Sequence, residues 1–195
     1  NPWVHPAGST AHADWSVDLG TQDSVVQVPG WQHTGVRSAE LAAGAHVALP
    51  PQPEERLVIP LAGSFTVTVD GVSYDMQGRE SVFHGPTDVL YSGVGTGVRI
   101  TSAAGGRVAV ASAPATVAYP VRHVRKDEVP VELRGAGAAS RQVHNFGTPA
   151  ALEADRFIVC EVLTPAGNWS SYPPHKHDEE TDTETALEEI YYFEM

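Results

Sequence analysis

The stretch "RLVIPLAGSFTVTVDGVSYDM", residues 56–76, decides the fold class. Phe65, Val67 and Val69 alternate with Ser64, Thr66 and Thr68, and a period of two marks a strand with one face buried. Asp70-Gly71 then separates this run from a second one, and such a dipeptide suits the tight turn of a hairpin. The scheme recurs in "VGTGVRITSAAGGRVAVASAP", residues 94–114, where Gly105-Gly106 is the expected turn. Most of the 18 Gly and 15 Pro fall between such runs, and no segment before residue 140 shows sustained helical periodicity. Short strands with turn chemistry between them predict an all-β protein, a sandwich or barrel.

Residues 119–140, "YPVRHVRKDEVPVELRGAGAAS", have a different texture: charged, with two prolines and a Gly/Ala-rich end. They are expected to connect two β units, one over residues 1–118 and another over 141–195. The second unit opens with "SRQVHNFG" and "RFIVCEVLTPAGNW", with a helical turn expected in "TPAALEAD". It closes with "EEIYYFEM", which reads as a strand without a return partner. The two units share a layout. "AAGAHVALPPQPEERLVIPLAGSFTV" and "PAGNWSSYPPHKHDEETDTETALEEIYYFE" each run from a Gly through a strand to a Pro-Pro corner, then to a Glu-Glu pair opening the next strand. A repeated layout implies two copies of one fold.

Composition narrows the function. A net charge of −12 with scattered basic residues argues against nucleic-acid binding. Nothing approaches an 18-residue apolar run, so no membrane span is expected, and the first residues lack the pattern of a signal peptide. A lone cysteine, Cys160 in "FIVCEVL", forms no internal disulfide, fits a reducing cytoplasm, and reads as a buried small hydrophobe.

The chemistry concentrates in "HKHDEETDTETALEE", residues 175–189. In an extended strand His175 and His177 point to one side, while Lys176 points away. Two imidazoles and a carboxylate suit a divalent transition metal. Glu179, Glu180, Glu188 and Glu189 compete for the carboxylate position. Glu189, Tyr191 and Phe193 share one strand face and Glu188, Ile190 and Tyr192 the other, so periodicity alone leaves the choice open.

The HxH pair followed by a Glu heading "EIYYF" resembles the metal motif of the cupins. More narrowly, "GNWSSYPPHKHD" and "ETALEEIYYFE" resemble the 5-deoxy-glucuronate isomerases of bacterial myo-inositol breakdown. "GRESVFHGPTDVLY" and "RQVHNF" are similar to that group and to the 4-deoxy-5-hexosulose-uronate isomerases of pectin breakdown.

The resemblance implies a bicupin, two double-stranded β-helix barrels, of which the first lacks the histidine pair. It implies that His175, His177 and Glu189 bind a divalent ion (Zn, Mn or Fe), with residues 178–188 bulging as a loop. It also implies further strands and a fourth ligand, a His, so the second barrel is expected to be incomplete at Met195. The implied reaction is aldose–ketose isomerisation of a small sugar acid in a homo-oligomer. Tyr191 is the candidate proton relay and Arg141 the candidate partner of the substrate carboxylate, while His144 and His84 read as structural. The rival readings are a 4-deoxy-5-hexosulose-uronate isomerase of pectin breakdown, another metal cupin, such as a dioxygenase, and a non-catalytic sugar-binding protein.

Overall fold

The computed structural model describes residues 3–20, 24 and 26–195. Within these residues the regular elements are strands and two short 3-10 turns, at Lys126–Glu128 and Gly137–Ala139. The strands are β1 (Val17–Gly20), β2 (Val26–Gln27), β3 (Gly35–Leu41), β4 (His46–Leu49), β5 (Glu54–Val69), β6 (Val72–Arg79) and β7 (Val89–Ser92). They continue with β8 (Val98–Thr101), β9 (Gly106–Pro114), β10 (Arg122–Val124), β11 (Val131–Arg134), β12 (Arg141–Gly147) and β13 (Val159–Leu163). The all-β expectation holds. No helix among the described residues is long and apolar enough to cross a membrane.

The quoted stretch explains the architecture. β5 is 16 residues long and serves two sheets. Its first half pairs with β7 and β9, extending the order β10-β7-β5-β9-β3-β1-β2. Its second half pairs with β6 and β8, and β8 pairs in turn with β4. The crossing falls at Pro60–Phe65, where both ladders slip register. The backbones crowd there. Gly63 has φ +94°, and a Cβ on it would lie 2.8 Å from the Gly105 carbonyl oxygen.

The Asp70-Gly71 turn forms as expected, with positive φ at both residues and Val69 paired to Val72. Gly105-Gly106 is different. It joins β8 to β9, which belong to different sheets, so it is a crossover rather than a hairpin turn. A Cβ on Gly106 would meet the Ala62 carbonyl oxygen at 2.4 Å. Hairpins and tight crossovers both demand glycine, so composition could not separate them.

The alternation read from sequence fills the space between the sheets. Phe65, Val67 and Val69 are buried there with Val58, Ile100 and Val110. A second apolar cluster of Leu57, Ile59, Tyr91, Val124, Phe146 and Leu152 joins the outer side of the first sheet to the following unit. That unit is a separate sheet, β11-β12-β13. Residues 119–140, read as a connector, thus give β10 to the first sheet and β11 to the other. In "TPAALEAD" the Thr148 carbonyl accepts from the Ala151 and Leu152 N–H groups, a single turn as expected.

Two polar ties reinforce this junction. Glu55 is fully buried, and its carboxylate accepts the N–H groups of Asp155 (2.8 Å), Arg156 (2.7 Å) and Phe157 (3.0 Å) and the Tyr91 hydroxyl (2.8 Å). Arg79, at the end of β6, reaches Glu161 on β13 through two hydrogen bonds of 2.7 and 2.5 Å. Glu161 also accepts from His144 Nδ1 at 2.8 Å.

Two expectations require correction. Cys160 is exposed, because the β12–β13 register turns Cys160 and Val162 to the face opposite His144 and Glu161. "EEIYYFEM" joins no strand ladder among the described residues; Glu188 and Glu194 hold it to the first unit by their side chains.

Candidate functional site

The histidine pair sits just past the Pro173-Pro174 corner in irregular backbone, with ring centroids 5.1 Å apart. Each ring has one nitrogen committed. His175 Nδ1 donates to the Pro173 carbonyl at 3.0 Å, and His177 Nδ1 donates to the Thr185 carbonyl at 3.1 Å. A carbonyl oxygen only accepts, so Nδ1 carries a proton in both rings, and in the neutral form of each ring Nε2 carries the lone pair. That tautomer is the one a metal-binding histidine needs, with its other nitrogen fixed by a backbone acceptor.

Residues 178–186 bulge from the chain as a closed loop. The Leu187 N–H donates to the His177 carbonyl at 3.0 Å, so the base of the loop is pinned beside the histidines. Glu184 accepts from the backbone N–H groups of Asp178 (2.6 Å) and Glu179 (3.1 Å), and Lys176 Nζ lies 3.4 Å from its other oxygen. Desolvation works against its ionised form, but these donors hold its pKa below the ordinary range. Lys176 is therefore charge-paired with carboxylates of the loop it precedes.

Hydrogen bonding supplies the choice that periodicity leaves open. Glu179 faces Lys176 at 3.7 Å, and Glu180 accepts the Ala186 N–H at 3.1 Å. Glu188 accepts the N–H groups of Gln32 (2.8 Å) and His33 (2.6 Å). Glu189 has only a long contact from the Tyr191 hydroxyl, 3.4 Å. It is the uncommitted carboxylate of the four. Among the described residues no group of three or more His, Cys, Asp or Glu closes on one point. The structure thus brings the imidazoles together and does not complete the set with Glu189. The donor chemistry nevertheless fits a divalent cation of the borderline kind: two neutral imidazoles with bare Nε2 atoms and a free carboxylate on the segment that closes the loop.

The other candidates divide. Tyr191 stacks on Phe193 at 6.0 Å and lies beside Glu189, so the two side chains share a side as alternation requires. Partial burial first, and the neighbouring Glu189 charge next, raise the Tyr191 pKa, so the phenol keeps its proton at neutral pH. Arg141 pairs with Arg134 in the ladder, and its guanidinium donates to the Ala139 carbonyl at 3.0 Å. It lies on the same face of the second sheet as Val143, Val162 and Cys160. Desolvation first raises the Cys160 thiol pKa, with the Arg134 charge opposing and the Glu189 charge adding to it.

His144 is fully buried; Nδ1 bonds Glu161 and Nε2 accepts from the Gln142 amide at 2.7 Å, so it is structural. His84 is an exposed turn residue, bonded to Ser81 at 2.7 Å. Sequence reading did not find Glu161 and Arg79 as partners, because they lie 82 residues apart in different sheets.

Comparisons with known proteins identify the family. The chain matches the KduI/IolB family over residues 4–195. It is 36% identical over 169 residues to a 5-deoxy-glucuronate isomerase of Geobacillus kaustophilus, covering 85% of this chain and 61% of that protein. It is 35% identical over 159 residues to the one of Bacillus subtilis strain 168, covering 80% and 59%. The chain therefore spans about three fifths of the length of these curated relatives. The crystal structure of an IolB-like protein from Salmonella typhimurium LT2 superposes with a TM-score of 0.81 at 33% identity, covering 91% of this chain and 66% of that one. With a matching family over nearly the whole sequence and this shared fold, the chain belongs to the KduI/IolB family.

Proposed function

We propose that the chain serves a metal-dependent aldose–ketose isomerisation, converting 5-deoxy-D-glucuronate to 5-dehydro-2-deoxy-D-gluconate in myo-inositol catabolism. The observation that carries the reading is the paired histidines. Both Nδ1 atoms are held by backbone carbonyls, and the one uncommitted glutamate follows on the chain that closes the loop. The names of the relatives, 5-deoxy-glucuronate isomerase, support the substrate.

In this reading His175, His177 and Glu189 hold a divalent ion. The ion supplies Lewis acidity toward the oxygens of the open-chain sugar as charge develops on them. The isomerisation takes a proton from the carbon next to the aldehyde and returns one to the former carbonyl carbon. Tyr191, kept protonated beside Glu189, serves as a donor toward the developing oxygen rather than as the base. Arg141 offers the remaining guanidinium N–H groups to the substrate carboxylate from the same face of the sheet. The bicupin arrangement and assembly into homo-oligomers are part of the same proposal.

The test is incubation of the metal-loaded protein with 5-deoxy-glucuronate in D2O, followed by proton NMR. Loss of the aldehyde signal, with appearance of the ketone and deuterium beside it, supports proton-transfer isomerisation. An unchanged aldehyde signal at stoichiometric metal overturns it.

A further inference from the structure

Resting on the reading of Glu189 as a ligand, we propose that the first β unit sets the register of the metal-binding segment, with Arg107 and Glu188 as its positioning residues.

Among the described residues, 187–195 pair with no strand, and their side chains tie the segment to the first unit. Glu188 spans the Gln32 and His33 N–H groups at 2.8 and 2.6 Å, and the Thr34 hydroxyl donates to the Glu188 carbonyl at 3.3 Å. Six residues further on, Glu194 accepts two hydrogen bonds from Arg107 of β9, at 2.7 and 2.8 Å. The Tyr192 hydroxyl lies between them, 3.4 Å from Glu194.

Every anchor is an even-numbered residue. In extended chain the odd-numbered residues must then face the other way, and the structure agrees: Tyr191 stacks on Phe193 and touches Glu189. A slip by one residue would bury Glu189 against the first unit and present Glu188 instead. Two adjacent carboxylates open this segment, and the anchors distinguish them.

The arrangement gives the first unit, which lacks a histidine pair, a part in the site. Arg107 belongs to the sheet that carries the main core, and its ladder partners Glu40 and Ala62 fix its position. The guanidinium is about a third exposed while Glu194 is largely covered, so the pair fastens the end of the segment onto that sheet. Arg107 acts on Glu189 through its ion pair with Glu194 on the same segment and does not touch the proposed ion.

The experiment uses Co2+ as the probe, followed by its visible absorption, together with amide hydrogen exchange over residues 187–195. Arg107→Gln and Glu188→Ala are each expected to weaken Co2+ binding roughly tenfold, the lower part of the range for groups that orient ligands. Both should also speed exchange in the segment. The reversed pair Arg107→Glu with Glu194→Arg should restore affinity, a rescue that general destabilisation would not give. Unchanged Co2+ affinity in Arg107→Gln and Glu188→Ala, with Glu189→Gln weakened, overturns the positioning role alone. Unchanged affinity in Glu189→Gln overturns the ligand reading beneath it, and the inference with it.

Discussion

Glu161→Gln tests one of the two polar ties between the β units. The Arg79 and His144 side chains are fully enclosed, and the Glu161 side chain is 19% exposed. Arg79 is further fixed by the Pro60 and Gly85 carbonyls, so its guanidinium cannot swing out to water when its counter-charge is removed. Breaking a buried ion pair by deleting one partner costs about 3–5 kcal/mol. The residual exposure of Glu161, and the oxygen that glutamine retains, favour the lower end, about 3 kcal/mol. For a chain of this size each kcal/mol lowers Tm by about 2–4 °C, so calorimetry at pH 7 should show a loss of roughly 6–12 °C. The pH dependence supplies a second reading. Burial pushes the Glu161 pKa up, but hydrogen bonds from His144 and Arg79 outweigh it and hold the native value below the ordinary one. A carboxylate depressed on folding contributes fully above its unfolded pKa, about 4.3, and loses that contribution as pH falls through the native value. The parent should therefore lose stability more steeply than Glu161→Gln below about pH 4, and their melting temperatures should converge. A Glu161→Gln protein melting within about 2 °C of the parent at pH 7 would refute the account, since the expected cost is several times larger.

Glu55→Ala strips three backbone N–H groups and the Tyr91 hydroxyl of their acceptor at a fully buried position. It should cost about 3 kcal/mol or more, read as a lower urea midpoint, with protection lost first around residues 155–157. Gly78→Ala places a Cβ 1.9 Å from the Gly63 carbonyl oxygen at φ +62°, so the crossing of β5 must deform. Its soluble yield and melting temperature should both fall, whereas Gly71→Ala, with open space around it, should show the smaller loss expected of backbone strain alone. Tyr191→Phe should lower kcat about a hundredfold while leaving Co2+ affinity and melting temperature near the parent values, the pattern of a lost proton donor. Equal kcat in steady-state kinetics would remove Tyr191 from the mechanism.

The sequence was most readable where one local rule governed one local structure. Phe65, Val67 and Val69 line the core because alternation in a half-buried strand leaves them no other arrangement, and Asp70-Gly71 turns because few dipeptides tolerate its φ values. Gly105-Gly106 was misread because its glycine demand arises from another part of the chain, the crossing at Ala62 and Gly63. Cys160 was misread for a related reason. An apolar run such as "FIVCEVL" does not tell which of its faces is covered, and the pairing of Val143 with Val162 sets that face. The site shows the same division. HxH spacing announces the imidazoles, but the choice between Glu188 and Glu189 depends on the Gln32 and His33 N–H groups, 155 and more residues away, which consume one carboxylate and leave the other free. Local pattern therefore names the chemical groups a site can contain. Long-range hydrogen bonding decides which of two adjacent, identical side chains is occupied by backbone donors.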